Sequence, residues 1–154
     1  LAAPYHAMVR FGMWDEILAE PAPDAKRWVT TATHHYARGI ALASLGRVDE
    51  AQRERALFEA AFERVPNDSF IGNNPSRSVL EIGRAMLAGE VEYRARNYDR
   101  AFAHLRDAVR RDDELRYDEP WGWMQPAAHA LGALLLEQGR LSEAEAVYRA
   151  DLVR

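Results

Sequence analysis

Five histidines among 154 residues invite a search for a metal or acid–base site. His34 and His35 are adjacent, so on a helix their side chains diverge by about 100° and cannot grip one ion together. No HExxH motif occurs and no two histidines stand at i and i+4, the spacing that sets two ligands on one helix face. The absence of cysteine removes thiolate ligation, disulfides and a cysteine nucleophile. GxSxG, P-loop and GxGxxG patterns are missing, and Gly83 and Gly89 sit in a stretch of helical period with no strand before it, unlike a phosphate loop. Arg106, Arg110, Arg111 and Arg116 stand beside Asp107, Asp112, Asp113 and Glu114, which makes a mixed, solvated face. With 24 acids against 20 bases and a net charge of −4, nucleic acid is not an expected partner. These residues predict no catalytic group, no metal and no cofactor.

The densest cluster of interaction chemistry is YDEPWGWMQP, residues 117–126. Trp121 and Trp123 could form an exposed platform for a ligand or peptide, with Asp118 and Glu119 as polar anchors. The competing reading, which we favour, has the tryptophans plugging the gap under a long connection and Pro126 opening the next helix. Asn73-Asn74-Pro75 is read likewise, as turn chemistry.

The elements that must position these residues are helical. The chain is 48% apolar and 29% charged, enough to bury a core in one domain of this length. No apolar run approaches the roughly 18 residues of a membrane span. Helix formers dominate, and sustained period-two alternation is absent. Breaks at 21–24, Gly46-Arg47, 65–78, Arg96-Asn97, 112–125 and Gly139-Arg140 delimit segments 3–10, 13–20, 25–45, 48–64, 78–95, 98–112, 124–138 and 141 to the end. Asp24 is expected to N-cap the third, and Ser78 with Glu81 and Ser142 with Glu145 have capping-box spacing. Apolar stripes recur at helical period: Val48, Ala51, Ala56, Leu57, Ala60, Ala61 and Val65 in one segment; Tyr98, Ala101, Phe102, Leu105, Ala108 and Val109 in another. Amphipathic helices joined by short turns pack as antiparallel hairpins, so an all-α fold is predicted.

One register repeats. Gly39, Gly46 and Ala51 are spaced seven and five apart, as are Gly132, Gly139 and Ala144. Gly89, Arg96 and Ala101 keep the spacing with arginine in the middle, and Gly12 with Ile17 forms a fragment of it. The first small residue lets the second helix approach, with the alanine expected opposite it. The second glycine ends the first helix in the left-handed conformation. This register resembles the tetratricopeptide repeat, over about residues 30–154. It departs from the family in period: the alanines are 50 and 43 apart, against the family's 34, with the excess in the two long connections. It departs also at His35, Arg38 and Glu92, where the family has an aromatic, a leucine and an aromatic.

The resemblance implies one domain over 1–154: a half-repeat at 3–20 and hairpins at 25–64, 78–112 and 124–154, stacked as a right-handed α-solenoid. It implies a non-enzymatic scaffold whose concave face, at Tyr36, Ile40, Glu90, Tyr93, Arg94, His129, Ala133 and Glu137, binds a protein or peptide. A second reading places a small-ligand or enzymatic site at His35, Glu90 and His129. Against it stands a buried network in which Arg38 neutralises Glu92 or Glu90. A third makes the chain a spacer, or a homodimer through its exposed ends. The start at Leu1 and the end at Arg154 without a polar cap suggest a piece of a longer repeat protein. The composition, with 19 arginines to one lysine, suggests a GC-rich bacterial gene. A cytoplasmic setting is expected.

Overall fold

A computed structural model describes residues 3–24 and 26–153. Ala25, where the periodicity predicts the third helix to begin, lies outside them. The fold is all-α. Among the described residues eight helices carry the chain: α1 (Ala3–Arg10), α2 (Trp14–Ala19), α3 (Trp28–Ser44), α4 (Val48–Phe62), α5 (Ser76–Arg94), α6 (Tyr98–Asp113), α7 (Ala127–Glu137) and α8 (Leu141–Asp151). A two-residue antiparallel ladder, β1 (Phe70–Ile71) with β2 (Asn74–Pro75), interrupts the loop before α5. Helices pack in consecutive pairs, α3 with α4, α5 with α6 and α7 with α8, and the pairs meet through α3–α5, α4–α5 and α6–α7. Helices α1 and α2 pack on each other and on α3. No helix among the described residues is long and apolar enough to cross a membrane.

The turn inside each pair follows from its glycine. Gly12, Gly46 and Gly139 have φ of 65°, 77° and 70°, and Arg96 takes the same left-handed conformation at 63°. The residue after each returns its N–H to the carbonyl five residues back: Met13 to Met8, Arg47 to Leu42, Asn97 to Glu92 and Arg140 to Leu135, all at 2.8–3.0 Å. This is the Schellman closure of a helix end. It starts the next helix at once, and α2, α4, α6 and α8 have no side-chain cap. α5 and α8 begin at Ser76 and Leu141, before the expected capping serines, and neither has a side-chain cap. Glu81 pairs instead with Arg111, and Glu145 with Arg149. Asp24 is spent on its own turn, where it accepts the Lys26 N–H at 2.9 Å, and α3 begins at Trp28.

The small residues inside the helices permit close approach, at Gly89 to the Ala101 carbonyl, 3.3 Å from where a Cβ would stand, and more closely to larger side chains. A Cβ at Gly89 would lie 2.7 Å from Leu105 Cγ, and one at Gly132 would enter the Tyr148 ring. Each partner sits four residues beyond its alanine, one turn further along the second helix. At Gly39 the intruding group is Leu87 Cδ1 of the next pair, 2.6 Å from such a Cβ. The buried stripe of α4 is also rotated from expectation. It consists of Ala51, Glu54, Phe58, Ala61 and Phe62, while Ala56, Leu57 and Ala60 face solvent. Phe58 and Phe62 stack at 6.2 Å, and two large rings dictate the buried face over two alanines and a leucine. The core divides in two: a large cluster spanning α1 to α5 that takes in Ala108, Trp123 and Ala127, and a smaller one around Phe102, Leu105, Leu131 and Leu135 that joins the last pair to α6.

The turns give a paired stability test. Gly139→Ala adds a side chain that meets nothing within 4 Å, so its cost is conformational, about 1 kcal/mol. Arg96→Gly relieves the same strain and gives up some unfolded-chain restriction, for a net gain of roughly 0.5 kcal/mol. Urea midpoints should move in opposite directions. Movement in the same direction would mean that the left-handed turns are not the controlling feature.

Candidate functional site

The 114–126 connection is built inward. Asp112, at the end of α6, is buried and accepts the Ala127 N–H at 2.9 Å and the Trp121 Nε1–H at 2.8 Å. One carboxylate therefore satisfies the first N–H of α7 and fixes the orientation of a connector tryptophan. Pro126 stands at the N-cap of α7 rather than inside its first turn. Trp123 is 1% exposed and rests on Gly83, where any Cβ would collide with the indole. Its ring meets His6 and Tyr36 edge-on, at 4.7 and 4.9 Å between centroids, and its Nε1–H lies 3.1 Å from Met86 Sδ. Trp121 remains 38% exposed. Of the two expected platform residues, one is thus a plug and the other a lip.

A recess of about 260 Å³ opens beneath this connector. Its inner wall includes the buried His6, Thr33, Leu80 and Trp123, and its outer wall the exposed Trp121 and Glu119, with Asp118 half-buried between. Asp118 accepts the Asn73 and Glu119 backbone N–H groups, at 2.8 and 3.1 Å, and Glu119 accepts the Tyr117 hydroxyl.

A second, larger groove of about 430 Å³ runs across α3, α5 and α7. It brings together Tyr36, Ile40, Glu90, His129 and Ala133. Met86, Pro126 and the end of α1, with Phe11 78% exposed, complete it. Arg94 and Glu137 join at its edge through ion pairs: Arg94 to Glu90 at 2.8 Å and to Glu137 at 3.4 Å. Burial pushes the Glu90 carboxyl above its ordinary range, against the opposing pull of Arg94 and a hydrogen bond from Ser44. Tyr93 is elsewhere. It is 3% exposed, and its hydroxyl accepts the Gln138 Nε2–H at 2.9 Å in the core between α5 and α7.

The histidines do not converge. His35 donates through Nδ1 to Glu54 at 2.7 Å, and Arg38 holds the other carboxylate oxygen at 2.8 Å. Burial works to raise the Glu54 pKa, but these two donors outweigh it and hold the carboxyl below its ordinary value. This network ties α3 to α4, so His35 shares no site with Glu90. Arg38 neutralises Glu54 rather than Glu90 or Glu92, while Glu92 pairs with Arg100 at 3.2 Å. His129 lines the groove with Glu90 but hydrogen-bonds Asp151 at 3.1 Å. No cluster of three or more His, Asp or Glu suited to a metal ion occurs among the described residues. His6, Phe11, Met86 and Asp112 were not legible as site residues. Their roles depend on contacts with elements far away in sequence, and only the position of Phe11 beside the Gly12 turn hinted at exposure.

His6 and His34 are both buried at the α1–α3 junction, His34 with Nδ1 3.1 Å from Tyr5 Oη. Burial lowers each to about 4 from 6.5, helped at His34 by neighbouring His35 and Arg38. The folded state therefore keeps them neutral, and the unfolded chain binds more protons between these values. Their contribution is complete above pH 6.5 and is lost as pH falls towards 4. The melting temperature should drop through that window, and His6→Phe should flatten the drop. A His6→Phe profile parallel to wild type would mean that this imidazole is not held neutral.

No protein-family model matches the chain, and neither a curated protein nor a solved structure matches it.

Proposed function

We propose that the chain is a tetratricopeptide-like helical-repeat scaffold, its pairs stacked as a solenoid, whose groove across α3, α5 and α7 binds a segment of another polypeptide. The observation that carries this is register. Tyr36 and Ile40 on α3, Met86 and Glu90 on α5, and His129 and Ala133 on α7 are pairs of positions four apart on the first helix of each hairpin, and all six line one recess. A run of equivalent positions facing one groove is how stacked repeats make an extended binding surface. The wall is apolar for most of its length, with Arg10, Glu90 and His129 in it and Arg94 and Glu137 at its edge. That suits a peptide with an apolar anchor between charged residues. The exposed Phe11 gives the groove an aromatic edge of the kind enriched at binding surfaces. The catalytic alternative has less behind it, because His35 is committed to Glu54 and His129 to Asp151.

Ala133 is exposed within the groove, so Ala133→Trp should fill it without touching the core. Panning a peptide library against wild type should enrich sequences with an aromatic or large aliphatic anchor. Their affinity should fall at least about tenfold on Ala133→Trp and about threefold on Phe11→Ala. Peptides retained at full affinity by both variants would refute the groove. Tyr93→Ala is unsuitable here, since it would open the core.

A further inference from the structure

We propose that the recess beneath the 117–126 connector is a separate site for a small organic cation with an apolar body and a hydroxyl-type group at its far end. At about 260 Å³ it has room for roughly nine waters at ~30 Å³ each, slightly below the usual range for ligand sites. Three observations select the ligand. First, among the described residues no lysine or arginine lines the recess, while Asp118 and Glu119 do. Both carboxylates are oriented by the donors they already accept from Asn73, Glu119 and Tyr117. A carboxylate oxygen keeps a second lone pair after accepting one bond, so an ammonium head fits here and an anion is repelled.

Second, two indoles bound the recess, and both are pinned: Trp121 by Asp112, Trp123 by Gly83 and Met86. Rigid tryptophan walls take up an apolar body at little entropic cost and attract a cation to the ring face. Third, His6 is 6% exposed at the inner end, and its ring nitrogens make no hydrogen bond with any described residue. Its ring meets Trp123 edge-on and lies tilted, at 6.3 Å between centroids, beside Tyr36. Neither ring nitrogen is sealed from solvent, and a neutral imidazole offers both a donor and an acceptor. A hydroxyl at the far end of the ligand would satisfy it. This site does not depend on the groove: no residue of the α3–α5–α7 recess lines it.

The test titrates the whole chain with 4-hydroxyphenethylammonium, read by tryptophan fluorescence excited at a wavelength where the phenol does not absorb. Comparators are phenethylammonium, which lacks the hydroxyl, and 3-(4-hydroxyphenyl)propanoate, which replaces the cation. We expect saturable binding of the first, about fivefold weaker binding of the second and at least tenfold weaker binding of the third. Glu119→Gln, on an exposed side chain, should weaken both amines about threefold and keep the hydroxyl preference. His6→Phe should erase that preference and leave phenethylammonium unchanged. Ala133→Trp should alter none of these values, which separates this site from the groove. Equal binding of the propanoate, a non-saturable response, or a hydroxyl preference that survives His6→Phe would overturn the proposal. Should His6→Phe fail to fold, an amine-over-acid preference unmoved by Glu119→Gln overturns it alone.

Discussion

The seating of Trp123 on Gly83 is the contact on which the rest of the structure depends. One indole, carried by a connector, touches α1 through His6, α3 through Tyr36 and α5 through Gly83 and Met86. Fully burying a tryptophan removes about 200 Å² from water, or roughly 5 kcal/mol at ~25 cal/mol per Å² as an upper estimate. Glycine at position 83 is required by contact rather than by backbone conformation, because a methyl there would displace the ring. The same wedge explains the long connection. An indole between elements of successive pairs needs chain on both sides to deliver it, and a short inter-hairpin turn could not reach.

The second long connection serves the first. Asn74 is buried, and its side-chain amide pairs with the peptide of Arg116 in both directions, donating to the carbonyl at 2.9 Å and accepting the N–H at 2.8 Å. Asn73 adds a backbone donor to Asp118 and a side-chain donor to the Tyr117 carbonyl. Gly72, at φ 55°, brings the β1–β2 turn against the Asp118 carboxylate, where a side chain would collide. Two irregular segments more than forty residues apart thereby satisfy each other's polar groups. Buried loop backbone needs such partners to avoid unpaired donors and acceptors. The excess length over a simple repeat is thus a second layer of structure laid across α5.

The helices were legible in the sequence, and the connectors were not, for one reason. A helix ends where a local signal ends it, and Gly12, Gly46 and Gly139 act within their own turns. Even Arg96 could be placed, because its neighbours fixed the register. What packs on a helix is not local. Phe58 and Phe62 outweigh Leu57 only because α5 lies against them, and Gly132 faces Tyr148 instead of Ala144 because the second helix is offset by a turn. For the same reason Tyr93 could be assigned to a groove by register while its ring lies in the core. Asn74 read as turn chemistry from its proline, but its partner at Arg116 could not be found from position 74. His6 carried no sequence signal at all, since its meaning comes from an indole 117 residues away.

The two recesses share a partition, and that limits what each can hold. Trp123 lines the connector recess and Tyr36 the groove, and their rings meet edge-on at 4.9 Å. Helix α1 spans both, with His6 in one and Val9 and Arg10 in the other, where Phe11 follows from the turn after it. A side chain or ligand that pushed the indole outward would have to move Tyr36, and close-packed rings transmit such a displacement rather than absorb it. Neither recess can therefore enlarge at the partition without cost to the other. Each has adjustable walls only on its far side: the exposed Glu119 for the connector recess, and Phe11, Ala133 and Glu137 for the groove. Occupants that leave the partition in place can bind together without interference, and selectivity at either site must be set by those outer residues.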